Sequence, residues 1–189
     1  MDPKLIHKHS KLYYKAMYLN ADLEETNAIF EQCKKEFFAE VSKHKKKPAG
    51  MSLARATANL EEDLGNIFDE KNNKADSSSL KALYRKIMFK AHPDKLTLME
   101  DEDLKNMYAD ICSKAMTAME TESWYLLYEA ATELGIKDIE IKDEHIKILE
   151  DNCKKLESET SEIKNTIPWI WFHYDDEVKE RCLKEYLKM

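Results

Sequence analysis

The segment whose residue types could do chemistry runs from Leu80 to Lys95 and ends in His92, Pro93 and Asp94. A histidine, a proline that fixes the chain direction and a carboxylate stand together there, after a lysine-rich run. Such groups recognise a charged partner. The sequence has no Gly-rich phosphate loop, nucleophile–base arrangement or metal-ligand spacing, so we expect no enzyme, catalytic residue, cofactor or metal.

A single helix is expected to precede the loop at residues 92–94. We expect it to run from Leu80 to about Ala91 and to end before Pro93, because the residue before a proline is pushed out of the helical region. Helical spacing places one set of side chains against a neighbour: Leu83, Tyr84, Ile87 and Met88. It places a basic set on the outer surface: Lys81, Arg85, Lys86 and Lys90. The sequence thus predicts a basic rod with an acidic loop at its tip.

The same string resembles the second helix and loop of J domains, which follow the pattern Tyr-Arg-Lys-hydrophobic-x-x-Lys-x-His-Pro-Asp-Lys. The matching residues stand at the family's spacing: Tyr84, Arg85, Lys86, Lys90, His92, Pro93, Asp94 and Lys95. The resemblance is strong over residues 80–95 and moderate from 60 to 131. Tyr108, Ile111 and Ala115 look like the family's returning helix.

The chain departs from the family at Ala91, where an aromatic residue is common, and it lacks the usual Tyr-x-x-Leu-Gly opening of the first helix. Leu60, Leu64, Gly65 and Ile67 stand in place of that opening. No Gly/Phe-rich linker is present, so the layout is more similar to auxilin-type J proteins than to DnaJ itself. The Lys/Asn/Ile-rich sequence and the Trp-x-Trp tail are also similar to J-like proteins of large DNA viruses.

The resemblance implies a co-chaperone that docks on a DnaK-type heat-shock chaperone and stimulates its ATP hydrolysis, recruiting it to a client or assembly. Charged side chains would steer and orient the encounter. Asp94 would accept charge-assisted hydrogen bonds from an arginine, and Pro93 would lower the ordering cost of docking. The residues expected to bind the partner are Lys81, Tyr84, Arg85, Lys86, His92, Pro93, Asp94 and Lys95.

Other interpretations stay open. The chain could be a J-like structural or interaction protein, for instance of a viral particle, without ATPase stimulation. His92 could be an ordinary histidine that complements a helix C-terminus, and the lysines could form a solvated face. The remaining histidines have no evident partner cluster and receive no role: His7, His9, His44, His145 and His173.

Composition favours helices and disfavours a nucleic-acid partner. The chain has only 3 Gly and 4 Pro in 189 residues, while 35% of residues are charged, which predicts long helices with few connections. Residues 1–95 hold 18 Lys/Arg against 14 Asp/Glu, and the overall net charge is −7. Such a small basic excess is a weak footprint for a phosphate backbone.

The cysteines predict a reducing compartment. Cys33, Cys112, Cys153 and Cys182 are far apart, without a Cys-x-x-Cys pair, so we expect small core residues rather than a zinc site. No apolar run has the length of a membrane span or forms a signal peptide. We therefore expect no membrane partner and a cytoplasmic location, which for a viral protein means the host cytoplasm or the virion.

Two helices are predicted before residue 50. The first covers residues 4–19 and ends near Asn20, and a capping box of Asp22 and Glu25 starts the second. Basic residues at 43–47, followed by Pro48 and Gly50, indicate a domain boundary. A shorter helix at 52–69 and a polar loop at 71–78 come next.

Two helices and then a longer apolar seam are predicted between residues 103 and 167. A helix with Leu104, Met107 and Tyr108 should pack on the basic one, and another runs from Trp124 to Leu134 and is closed by Gly135. From Ile146 onward, apolar positions alternate in steps of three and four as in a coiled-coil seam: Ile146, Leu149, Cys153, Leu156, Thr160, Ile163 and Ile167. Packing within the chain is preferred over a dimer seam.

The tail is aromatic, and a last helix extends to Leu187. Trp169, Trp171, Phe172 and Tyr174 either close a core or anchor a client, and the core is preferred. The predicted fold is all-α, with a J-like helical hairpin embedded in a larger helical protein. Its divisions are an N-terminal helical region at 1–50, a J-like domain at 51–135, and a coiled-coil-like helix with the tail at 136–189. A client or assembly partner would bind the first and last of these, and the oligomeric state stays open.

Overall fold

The computed structural model describes residues 2–44, 78–96 and 101–188. Every regular element in these ranges is helical, which confirms the predicted all-α fold. The helices are α1 Pro3–His44, α2 Ser78–Ala91, α3 Pro93–Leu96, α4 Glu102–Glu120, α5 Trp124–Glu133, α6 Asp143–Lys164, α7 Ile167–His173 and α8 Asp176–Lys188. The boundary at 48–50, the helix at 52–69 and nearly all of the polar loop lie outside the described residues.

The first helix is longer than the sequence predicts. The expected break near Asn20 and new start at Asp22 are wrong, since α1 continues from Pro3 to His44. No glycine or proline interrupts it after Pro3. Its inward positions recur in uninterrupted steps of three and four, which one helix keeps on a single side. They are Leu5, His9, Leu12, Ala16, Leu19, Leu23, Thr26, Phe30, Cys33, Phe37 and Val41.

The described residues form two compact units, each assembled from distant parts of the chain. The first comprises 2–22, 78–96 and 101–158, and the second comprises 23–44 and 159–188. Helices α1 and α6 contribute to both units. The predicted division at residues 50 and 135 stays a prediction, because 45–77 are not described.

The core of the first unit lies where α2, α4 and α5 contact one another. Residues from all three helices are buried there, as are the first positions of the α6 seam: Leu83, Ile87, Ile111, Ala115, Leu127, Ala131, Ile146, Leu149 and Cys153. This burial within one chain agrees with the preferred intramolecular packing of the seam. Leu104 and Met107, in contrast, were expected to pack on α2 but are exposed.

Aromatic rings hold the second unit together. Phe37 of α1 meets Trp171 of α7 edge-on at 5.6 Å between ring centroids and Tyr186 of α8 at 5.2 Å. Pro168 is buried at the start of α7, a position where its missing N–H costs nothing. Trp171 therefore closes a core, as the preferred interpretation of the tail held, while Tyr174 is exposed.

Gly135 ends α5 as predicted, and its left-handed backbone makes it sensitive to substitution. Its φ is +66°, its N–H donates to the Thr132 carbonyl at 2.9 Å, and the Ile136 N–H donates to the Ala131 carbonyl at 2.9 Å. A Cβ there would meet nothing within 4 Å, so any cost comes from the backbone alone.

We expect Gly135→Ala to lower the free energy of unfolding by about 1–2 kcal/mol, the cost of left-handed backbone for an alanine. Urea unfolding followed by circular dichroism measures this loss. Gly135→Asn serves as the control and should lose less, because asparagine tolerates this conformation. An alanine variant as stable as the wild type would contradict the expectation.

Candidate docking site

Helix α2 has two sharply different faces. Leu80, Leu83, Ile87 and Ala91 are buried against the first unit, so hydrophobic burial fixes the rotation of the helix. The opposite residues, Lys81, Arg85, Lys86 and Lys90, are exposed, as the sequence predicts. Tyr84 and Met88 lie between the two faces and are half-buried. The basic surface therefore follows from the apolar stripe on the other side.

The tip begins where α2 ends at Ala91. His92 links α2 to the short helix α3, whose first residue is Pro93, and the Lys95 N–H donates to the His92 carbonyl at 2.9 Å. The side chains of His92 and Asp94 are 50% and 89% exposed. The loop thus presents an imidazole and a carboxylate to solvent at the end of the basic helix.

The imidazole of His92 is tied to its own loop through Nδ1. The Asp94 N–H donates to this nitrogen at 3.2 Å when the nitrogen carries no proton. A protonated Nδ1 would instead donate to Asp94 Oδ2, which lies 3.3 Å away. Both arrangements hold the His92 ring against the loop and restrict its motion.

Lys95 folds back onto the end of α2. Its ammonium donates to the Phe89 carbonyl and lies 4.1 Å from the centroid of the Phe89 ring. A cation in this place satisfies one of the last carbonyls of the helix and gains a cation–π contact. The predicted contact of Lys95 with a partner stays a prediction, and its role inside the chain is to cap α2.

Lys86 and Lys90 also make contacts within the chain. The Lys86 ammonium donates to the Asp138 carbonyl at 3.1 Å, and the Lys90 ammonium donates to the Leu134 carbonyl at 3.2 Å. These two lysines attach the segment after α5 to α2. The sequence did not predict these hydrogen bonds, because the residues that they join are more than forty positions apart.

An open groove of about 660 Å³ lies between α2 and this segment. Eight residues line it: Arg85, Lys86, Phe89, Lys90, Gly135, Ile136, Lys137 and Asp138. Phe89 is 77% exposed, although it lies in the middle of the lysines. The groove therefore combines four cations, one carboxylate and an exposed aromatic ring.

His9 and His145 were assigned no partner cluster, and this is wrong. Both are buried, and both contact Trp124. The Trp124 Nε1–H donates to His9 Nε2 at 2.8 Å, and the Trp124 ring stacks on His145 at 3.7 Å between centroids. Their separation of 136 positions leaves no local pattern in the sequence, and only the steps of three and four along α1 place His9 inward.

Burial shifts the pKa values of both rings in the same direction. Removal from water, together with the smaller effect of the nearby His145, lowers the pKa of His9 to about 4. Burial also lowers the pKa of His145. Its Nδ1 accepts a hydrogen bond from the Lys142 N–H at 3.1 Å, so the neutral ring carries its proton on Nε2. The surroundings of His9 and His145 therefore favour the neutral form of both rings.

Other classes of site have little support in the part of the chain that the structure describes. No group of His, Cys, Asp and Glu there could hold a metal ion. The four cysteines are buried and unbridged, and burial raises the pKa of each thiol. No described helix has the length and apolar character that crossing a membrane requires.

Comparison with protein-family models, with curated proteins and with solved structures finds no match for this chain. Any family assignment therefore depends on the residues from Leu80 to Lys95 and their geometry.

Proposed function

We propose that the chain is a co-chaperone that docks on a DnaK-type chaperone through α2 and the His92–Asp94 loop and stimulates its ATPase. One observation carries the proposal: the Asp94 carboxylate is 89% exposed at the tip of a helix whose outward face is basic. A carboxylate in this place adds nothing to the core. Its exposure to solvent lets an arginine of a partner approach it and form a charge-assisted hydrogen bond.

The arrangement of charges also supports the proposal. Lys81 and Arg85 are exposed on the outward face of α2, and charges of this kind raise the association rate with an acidic surface. The burial of Leu83 and Ile87 makes the helix rigid relative to the first unit, so the tip is presented in one orientation. Docking then costs less ordering of the chain.

A single-turnover ATPase assay with a DnaK-type chaperone tests the function. We expect the wild type to accelerate hydrolysis and Asp94→Asn to reduce the acceleration at least about tenfold, as expected when one partner of a charge-assisted hydrogen bond is lost. His92→Gln should also reduce it, because Nδ1 no longer holds the loop.

Asp110→Asn is the matched control, since Asp110 is an exposed carboxylate on α4 and the change in charge is the same. Its stimulation should equal that of the wild type. No stimulation by the wild type, or equal stimulation by wild type and Asp94→Asn, would refute the proposed function.

A second candidate is a J-like interaction or structural protein without ATPase stimulation. The exposure of Tyr14 and Tyr18, each 70% exposed on one face of α1, favours it. Exposed aromatic side chains four residues apart are common anchors of binding surfaces. Under this function, co-purification with a partner survives His92→Gln and is weakened by Tyr14→Ser and Tyr18→Ser.

A further inference from the structure

We propose that the groove between α2 and residues 135–138 is a binding site for an acidic peptide segment that carries one large apolar side chain. The site shares Arg85 and Lys86 with the docking surface of the proposed function, but it uses neither His92 nor Asp94 and takes a different ligand. Its chemistry follows from Phe89 in the middle and from the cations around it.

The apolar part of the site is Phe89. This ring is 77% exposed, whereas Leu80, Leu83 and Ile87 of the same helix are buried. Ile136 lines the same groove and is half-buried. Two apolar side chains at one concave place offer a partner's leucine or similar side chain a surface that excludes water.

The charged part selects an acidic occupant. Four cations line the groove against the single carboxylate of Asp138, whereas the whole chain has a net charge of −7. Lys86 and Lys90 use part of their hydrogen-bonding capacity to fix the far wall, at the carbonyls of residues 138 and 134. Arg85 and Lys137 line the groove and are exposed, so their cations can meet carboxylates of a bound peptide.

A nucleic acid fits this site less well. Sequence-tolerant binding of single strands depends on bases that stack on open aromatic faces. The Lys95 ammonium lies 4.1 Å from the Phe89 centroid and so covers one face of the ring. Asp138 would also repel a phosphate backbone. A peptide side chain needs only the ring edge and the remaining face.

A fluorescence polarisation titration of the full chain, without any chaperone, tests the proposal. The probe is a labelled peptide with one leucine flanked on each side by two glutamates. We expect saturable binding that salt weakens, and a much weaker response when serine replaces the leucine of the probe. Phe89→Ser and Arg85→Gln should each weaken binding about tenfold, which corresponds to a loss of about 1.4 kcal/mol.

Two controls define the place of binding. Lys147→Gln removes one exposed cation from α6, outside the groove, and should change the affinity less than twofold. Asp94→Asn should also leave it unchanged, so loss of ATPase stimulation and loss of peptide binding are separable. The proposal is overturned if the wild type does not bind the probe, or if Lys147→Gln or Asp94→Asn weakens binding as much as Arg85→Gln. Displacement of the probe by single-stranded DNA at equal charge concentration would also overturn it and assign the groove to nucleic acid.

Discussion

Trp124→Ala is expected to lower the free energy of unfolding by about 3–5 kcal/mol, the usual cost of truncating a fully buried tryptophan. Trp124 is 1% exposed and lies at the first turn of α5. Its indole joins His9 of α1 to His145 of α6. The free energy of unfolding of a folded domain is only about 5–15 kcal/mol, so this loss is a large part of the stability.

The backbone of Trp124 adds a second attachment that the substitution leaves in place. Its N–H donates to Asn152 Oδ1 at 3.0 Å, and the Asn152 amide donates to the Glu122 carbonyl at 3.2 Å. Ser123 is the N-cap of α5 but makes no side-chain cap bond, and Asn152 of α6 instead accepts a hydrogen bond from the first turn of α5. The expected loss therefore comes from the indole alone.

Urea unfolding followed by far-ultraviolet circular dichroism measures the effect without depending on tryptophan fluorescence. Trp169→Ala makes the same chemical change at a half-buried position of the second unit and should cost less than half as much. Trp124→Phe keeps most of the apolar area but leaves His9 Nε2 without its donor, for a loss of about 1–3 kcal/mol. A Trp124→Ala variant that loses no more than Trp169→Ala would refute the central role of this residue.

The sequence predicted correctly those features that depend on residues within a few helical turns of one another. Leu83, Ile87 and Ala91 repeat at helical spacing, and they fix both the buried face of α2 and the basic face opposite. Gly135 ends α5 for a reason that is also local, its tolerance of a left-handed backbone. The tip at residues 92–94 follows in turn, because Pro93 cannot continue the helix before it.

The errors arose where a local pattern competed with a longer one. Asp22 and Glu25 form a capping box in sequence, yet they lie inside α1 because the steps of three and four from Leu5 to Val41 continue through them. Burial of the whole stripe outweighs a cap that contributes about 1 kcal/mol. Leu104 and Met107 fit a helical stripe as well, but they are exposed, and the first buried residue of α4 is Ile111.

Contacts between distant segments could not be predicted from spacing at all. The ammonium of Lys90 belongs to a basic face in the sequence, while in the structure it holds the carbonyl of Leu134. His9 and His145 show no ligand spacing, yet Trp124 brings them together. Each such contact depends on how helices pack, and packing is decided by the whole core rather than by a motif.

Acid is expected to destabilise the protein through His9. The pKa of His9 is about 4 in the folded chain against an ordinary value of 6.5, so the unfolded chain binds the proton more readily. The stabilisation by neutral His9 is complete above pH 6.5 and is lost as pH falls from 6.5 to 4. The loss reaches about 3 kcal/mol near pH 4 and about 2 kcal/mol between pH 7 and pH 5.

The contacts of His9 give the physical reason. Its Nε2 accepts the Trp124 Nε1–H, so a proton on Nε2 would place two donors against each other. The rings of Tyr13 and Tyr128 surround the imidazole and offer it no counter-charge. His145 has a lowered pKa for the same reason of burial, with Glu140 and Glu144 favouring its charged form and Lys142 opposing it.

Urea unfolding at half-unit steps from pH 7 to pH 5 measures the effect, and the variants isolate it. His9→Gln keeps an acceptor for the Trp124 indole but does not titrate. Between pH 7 and pH 5, its free energy of unfolding should therefore fall by about 2 kcal/mol less than that of the wild type. His7→Gln is the matched control, because His7 is exposed on the same helix, and it should follow the wild-type curve. If the free energy of unfolding falls equally with pH in His9→Gln and in the wild type, the buried ring at position 9 does not control the acid sensitivity.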